Sequence, residues 1–219
     1  MPDTDSARQT RRMSDVEEDL LRRWTDLAGP GAEAVGADLV ARYAEPHRRY
    51  HTVHHLAAML AVIDDLAPAA VDLAAVRHAA WFHDAIYAVD RADNEERSAE
   101  LAESVLPTLG HSAGFAREVG RLVRVTARHD PAPEDRDGGV LCDADLAVLA
   151  ADTAGYAAYT AAVRAEYRHV PDDLFRTGRA AVLRSLADQE RLFHTPLGRE
   201  RYEAKARANL ARELAALTE

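Results

Sequence analysis

His83 and Asp84 stand side by side in the apolar run HAAWFHDAIY, among Trp81, Phe82 and Ile86. A charged pair in such surroundings is costly to bury without partners. The chain offers partners on both sides. YHTVHHL, with His51, His54 and His55, precedes the pair, and LCDADLAVL, with Asp143 and Asp145, follows it. Two imidazole nitrogens and two carboxylate oxygens make a ligand set for one divalent ion with positions left for water. Mixed nitrogen and oxygen donors suit Mn, Fe, Co, Ni or Zn better than a bare Mg site. Such an ion lowers the pKa of bound water and polarises a phosphoryl oxygen. No Walker motif or G-x-G-x-x-G is present to cradle a nucleotide.

These residues need rigid elements to hold them, and the hydrophobic spacing supplies helices. Ser14 and Glu17 form a capping box, followed at helical spacing by Val16, Leu20, Trp24 and Leu27, with Gly29-Pro30-Gly31 as the stop. A second helix covers about 32–44. Thr52 is placed as the N-cap of a third, which puts His55 in its first turn and His51 just outside. The fourth starts at about Asp72 and carries His83-Asp84 near its end. Asp93 and Glu96 open a helix over 94–109, Gly110 ends it, and Ser112 caps another that reaches about His129. DPAPEDRDGG is the clearest break. Three segments follow, at about 140–151, 156–169 and 172–192, and Thr195-Pro196 opens a last helix to about 217. The expected fold is all-α, with eight to ten helices. Residues 1–13 are expected to be a disordered tail and 14–219 a single domain.

The chain carries 27 Lys+Arg against 37 Asp+Glu, a net charge of -10. That balance argues against stable nucleic-acid binding, which wants a basic face. The lone Cys142, set among apolar residues, excludes a disulfide framework or a Cys-rich zinc site. No run approaches the roughly 18 apolar residues of a membrane span, and no secretory signal is visible, so a cytoplasmic protein is expected.

The strings RRYHTVHHL, AAWFHDAIY, DNEERSAEL, LCDADLAVL, YTAAVRAEY and KARANLARE resemble the HD-domain superfamily. Within it they look like the bacterial branch of predicted metal-dependent HD phosphohydrolases. The resemblance covers about residues 40–215 and implies an HD-like helical bundle. It assigns His55, His83, Asp84 and Asp145 as metal ligands, with Asp143 beside them orienting a water or ligand. It makes Glu95 a candidate general base, although acids at a helix start also complement the helix dipole. His129 is a candidate for stabilising phosphate or the leaving group. His51 is left open between substrate contact, support of the ligands and helix initiation, and His54 is expected to face solvent. Arg49, with Arg48, Arg164 and Arg179, is a possible phosphate partner.

The implied activity is hydrolysis of a phosphate ester or nucleotide-like small molecule by metal-activated water. Three rivals stand beside it. The first is a dinuclear HD enzyme, a phosphodiesterase or di-iron oxygenase, recruiting His111 and His129. The second is a ferritin-like di-iron bundle using Glu166 and His169. The third is a catalytically silent ligand-binding regulatory module.

Overall fold

The structure, a computed structural model, describes residues 4–218. Among these there is no strand, and ten helices longer than one turn make an all-α fold. They are α1 (Thr4–Ala28), α2 (Glu33–Tyr43), α3 (Val53–Leu66), α4 (Leu73–Phe82), α5 (Asn94–Val105), α6 (Ala113–Val125), α7 (Arg136–Leu146), α8 (Thr153–Glu166), α9 (Asp172–Ala187) and α10 (Ala204–Thr218). Pro196–Gly198 and a π-helical turn, Arg199–Glu203, lead into α10 without a break. No single helix among the described residues is long and apolar enough to cross a membrane.

Local chemistry sets most boundaries. Asp72, Ser112 and Thr195 each accept a backbone N–H three residues on, from Ala75, Phe115 and Gly198, which satisfies a donor that the helix cannot. Thr52 and Asp93 hold the N-cap positions of α3 and α5 without a side-chain cap bond. Asp93 instead pairs with Arg91 at 2.6 Å. Gly110, at φ 88°, closes the α5 segment in the left-handed region that glycine enters freely.

Three boundaries differ from the sequence reading. α1 starts at Thr4, so Ser14 lies inside a helix rather than at its cap, and residues 4–13 of the expected tail are helical. Residues 1–3 lie outside the described part. α4 ends at Phe82, so His83 and Asp84 occupy the turn that follows it. That turn is held by buried Arg48, which donates to the carbonyls of Asp84 (2.8 Å) and Ala85 (3.4 Å). α7 begins at Arg136 under an Asp135 cap, inside the expected loop. Its Gly138-Gly139 pair reads as a breaker in sequence, yet both residues are helical and buried. A Cβ on Gly139 would stand 3.1 Å from the His194 Cβ, so the glycine permits close packing.

The core has two adjoining clusters. The larger gathers Trp24, Tyr43, Trp81 and Phe82 with aliphatic residues of α3, α4, α6 and α7. Trp24 meets Trp81 edge-on at 5.1 Å and donates its indole N–H to the Ala32 carbonyl. The smaller joins Leu146 and Leu149 to Leu183, Phe193 and Leu210. α7 feeds both, and Asp145 lies near its end where they meet. Cys142 on the same helix is fully buried, and burial pushes its thiol pKa up, as fits an inert side chain.

Candidate metal centre

Three elements deliver the cluster. α3 supplies His55 in its first turn, the turn after α4 supplies His83 and Asp84, and α7 supplies Asp145. The His55 and His83 Nε2 atoms are 3.1 Å apart. Asp84 Oδ2 lies 3.1 Å from His83 Nε2 and 3.8 Å from His55 Nε2. Asp145 Oδ1 lies 3.2 Å from His55 Nε2 and 3.8 Å from His83 Nε2. Donors bound about 2.1 Å from one ion stand about 3.0 Å apart when cis and about 4.2 Å when trans. These separations match that range. His55, His83 and Asp145 form one compact group that could hold a metal ion, and Asp84 adjoins both of its histidines.

The protonation pattern fits as well. His83 Nδ1 is 2.8 Å from the Ala80 carbonyl. A carbonyl only accepts, so Nδ1 carries a proton and Nε2 faces the carboxylates, the nitrogen that would ligate an ion once its own proton is displaced. Burial works to lower the His83 pKa, but the Asp84 charge and hydrogen bond, with Asp145, raise it to about 9. Burial likewise opposes ionisation of Asp84 and Asp145. His83 nevertheless holds Asp84 well below the usual carboxylate range, and His129 and His55 hold Asp145 there. Two carboxylates sharing a protonated imidazole make a site that demands positive charge, which a divalent ion satisfies by displacing the proton.

His129 supports this cluster. It ends the turn after α6 in the left-handed region, at φ 51°. Its Nε2 bonds Asp145 Oδ2 at 2.7 Å, leaving Oδ1 for the cluster. Through Asp145 the cluster borders a cleft of about 660 Å³, lined also by His51, Glu95, His129, Tyr159 and Arg179.

Sequence reasoning named Glu166 only as a ligand of the ferritin-like rival and missed its place behind His51. One oxygen of this buried carboxylate accepts the backbone N–H groups of Arg49, Tyr50 and His51, at 2.7, 2.8 and 3.0 Å. The other accepts from His51 Nδ1 and from the Tyr87 hydroxyl, both at 2.8 Å. Glu166 therefore fixes both the turn before α3 and the His51 ring, and this excludes it from the ferritin-like ligand set. Burial raises its pKa, but these bonds and the His51 charge bring it down to about 2 from the ordinary 4.5. The stabilisation is fully present above 4.5 and is lost as pH falls through 2. It amounts to about 3 kcal/mol. Glu166→Gln should lower unfolding free energy by about that amount at pH 7, by urea titration. The gap between variant and wild type should narrow steadily between pH 4.5 and 2.

Four other expectations change. Asp143 does not face the cluster. Its fully buried carboxylate accepts from the backbone N–H groups of His194 (2.6 Å) and Thr195 (2.9 Å) and from the Thr195 hydroxyl (2.7 Å), so it anchors the turn before Pro196. Arg49 folds its exposed guanidinium onto the Pro46 and Arg48 carbonyls. Arg48 and Arg164 are likewise occupied by backbone carbonyls and an acid each; of the four only Arg179, itself paired with Glu213, lines the cleft. His111 packs against His78 and Phe115, at ring separations of 4.9 and 4.6 Å, so the dinuclear reading loses that ligand. His54 is exposed. Glu95 lines the cleft from the first turn of α5. Comparison of the chain with family models, curated proteins and solved structures finds no match, so its functional reading rests on this geometry.

Proposed function

We propose that the chain is a metal-dependent phosphohydrolase acting on a small phosphate ester. The observation that carries this reading is the compact group of His55, His83 and Asp145, with Asp84 beside its histidines, bordering through Asp145 a cleft that also holds His51, Glu95 and Arg179. A divalent ion held there supplies water of lowered pKa and a Lewis acid for a phosphoryl oxygen. Arg179 presents a guanidinium to the cleft. Its Nε and one terminal nitrogen are tied to Glu213, which fixes its plane, and guanidinium groups match phosphate oxygens well. His51 donates Nδ1–H to Glu166, so its Nε2 is the atom free to give a proton to the departing oxygen. Burial lowers the His51 pKa, but the Asp84 and Glu166 charges outweigh it and raise it, so the ring keeps that proton more readily. Glu95 accepts the proton of the attacking water. Cys142 is buried and no serine occupies a nucleophile motif, so water attacks directly.

Phosphate release from a panel of phosphate esters, with Mn, Fe, Co, Ni, Zn and Mg each supplied, tests this reading. A single turnover in heavy-oxygen water should label the released phosphate. Label confined to the alcohol product would mean attack at carbon and would overturn the mechanism. Oxygen consumption without ester hydrolysis would replace hydrolysis with a di-iron oxygenase, and tight ester binding without turnover would replace it with a ligand-binding module.

A further inference from the structure

Beside the metal cleft, α8 and α9 enclose a second cavity of about 420 Å³. The two cavities share Tyr50, His51, Tyr159, Arg179 and Val182 as walls, so they adjoin on the His51 side of the cleft. Its character differs from the cleft. Tyr50 and Tyr159 meet edge-on at 4.7 Å, Tyr167 and Phe175 stand 6.0 Å apart, and Val163, Val170 and Leu174 complete an apolar lining. Leu174 and Val182 are 60% and 53% exposed. Clustered exposed apolar residues at a cavity rim mark a binding surface more often than a random surface does.

Gly178 points the same way. It lies inside α9, where glycine costs about 1 kcal/mol relative to alanine. Its φ is not positive, and a Cβ there would meet no atom within 4 Å. Neither backbone strain nor close packing requires a glycine, and what its missing side chain leaves open is the wall of this cavity.

Resting on the phosphohydrolase reading, we infer that this cavity takes a flat aromatic group carried by the phosphate ester, with Arg179 and His51 at the junction between ring and phosphate. Edge and face contacts with tyrosine and phenylalanine suit a planar ring. The junction carries the only two groups of the shared wall able to bear positive charge, where the anionic end of such a ligand would lie. The cavity thus assigns specificity to α9.

The test uses naphthyl phosphonate, a non-hydrolysable aryl ligand, and inorganic phosphate as a ringless probe, each titrated calorimetrically into Mn-loaded protein. Gly178→Leu fills the cavity and raises helix propensity, so the fold should survive, as circular dichroism would confirm. Naphthyl phosphonate should bind at least 10-fold more weakly to Gly178→Leu than to wild type, with phosphate affinity unchanged. Leu174→Ser, at an exposed position, should weaken the same aryl ligand a few-fold. Equal aryl affinity in wild type and Gly178→Leu would overturn the inference, as would an equal loss for both ligands or no preference for the aryl ligand in wild type. The two readings fail separately: selective aryl binding with no hydrolysis of naphthyl phosphate would retain the cavity assignment and remove the phosphohydrolase.

Discussion

Replacing His83 by alanine should reduce bound metal to under a tenth of the wild-type content and turnover by about three orders of magnitude or more. His83 Nε2 lies 3.1 Å from both His55 Nε2 and Asp84 Oδ2, within reach of every other donor of the cluster. Removing it takes away one ligand and also the positive charge that holds the two carboxylates together when no ion is bound. Changes to groups that merely support ligands already cost about 10- to 100-fold in affinity or activity, and loss of a ligand exceeds that. Helix content should persist, because the side chain makes only one strong bond to the fold, to the Ala80 carbonyl. Asp84→Ala should behave alike. Elemental analysis decides the matter: unchanged metal in both variants would remove the cluster from consideration as a metal site.

The two aspartates of α7 should separate cleanly into different kinds of damage. Asp145→Ala should lose metal while its melting temperature stays near that of metal-free wild type. Asp143→Ala should bind metal within a few-fold of wild type yet unfold far more easily. Without its carboxylate, two backbone N–H groups and the Thr195 hydroxyl lose their buried acceptor, at about 1–3 kcal/mol for each group left unsatisfied. A total near 3 kcal/mol corresponds to a melting temperature about 6–12 °C lower for a chain of this size. Metal loss and stability loss exchanged between the two variants would show that the other aspartate faces the cluster.

That pair also shows where the sequence stops being legible. Residues two apart on a helix are about 200° around the axis from each other, so Asp143 and Asp145 cannot face the same way. The spacing requires one to point at the cluster and one elsewhere, but it does not say which. The helices themselves were readable because caps and stops act within three or four residues, as at Asp72, Ser112, Gly110 and Thr195. The beginning of α7 was not readable, because Gly138-Gly139 is defined by what packs against it, and His194 is distant in the chain. Glu166 was hidden for the same reason. Its helix face follows from periodicity, whereas the three amides it binds lie on the far side of the sequence. Glu95 and Arg179 could be named from residue type alone, but only the cleft shows that they share a wall with His51 and Asp145.

The Glu166 clamp has a consequence for the order in which the molecule becomes itself. It joins residues 117 positions apart, and the His194–Asp143 bond closes another loop of 51. Long closures carry an entropic cost that must be met before their contacts can reward it. A chain emerging from its N-terminus can form α1 to α4, with His55 and His83 in it, long before Asp145 and Glu166 exist to complete the centre. Maturation of the site is therefore a late event, and a truncated chain ending before α8 would carry every candidate metal ligand yet lack the Glu166 carboxylate that fixes the turn before α3.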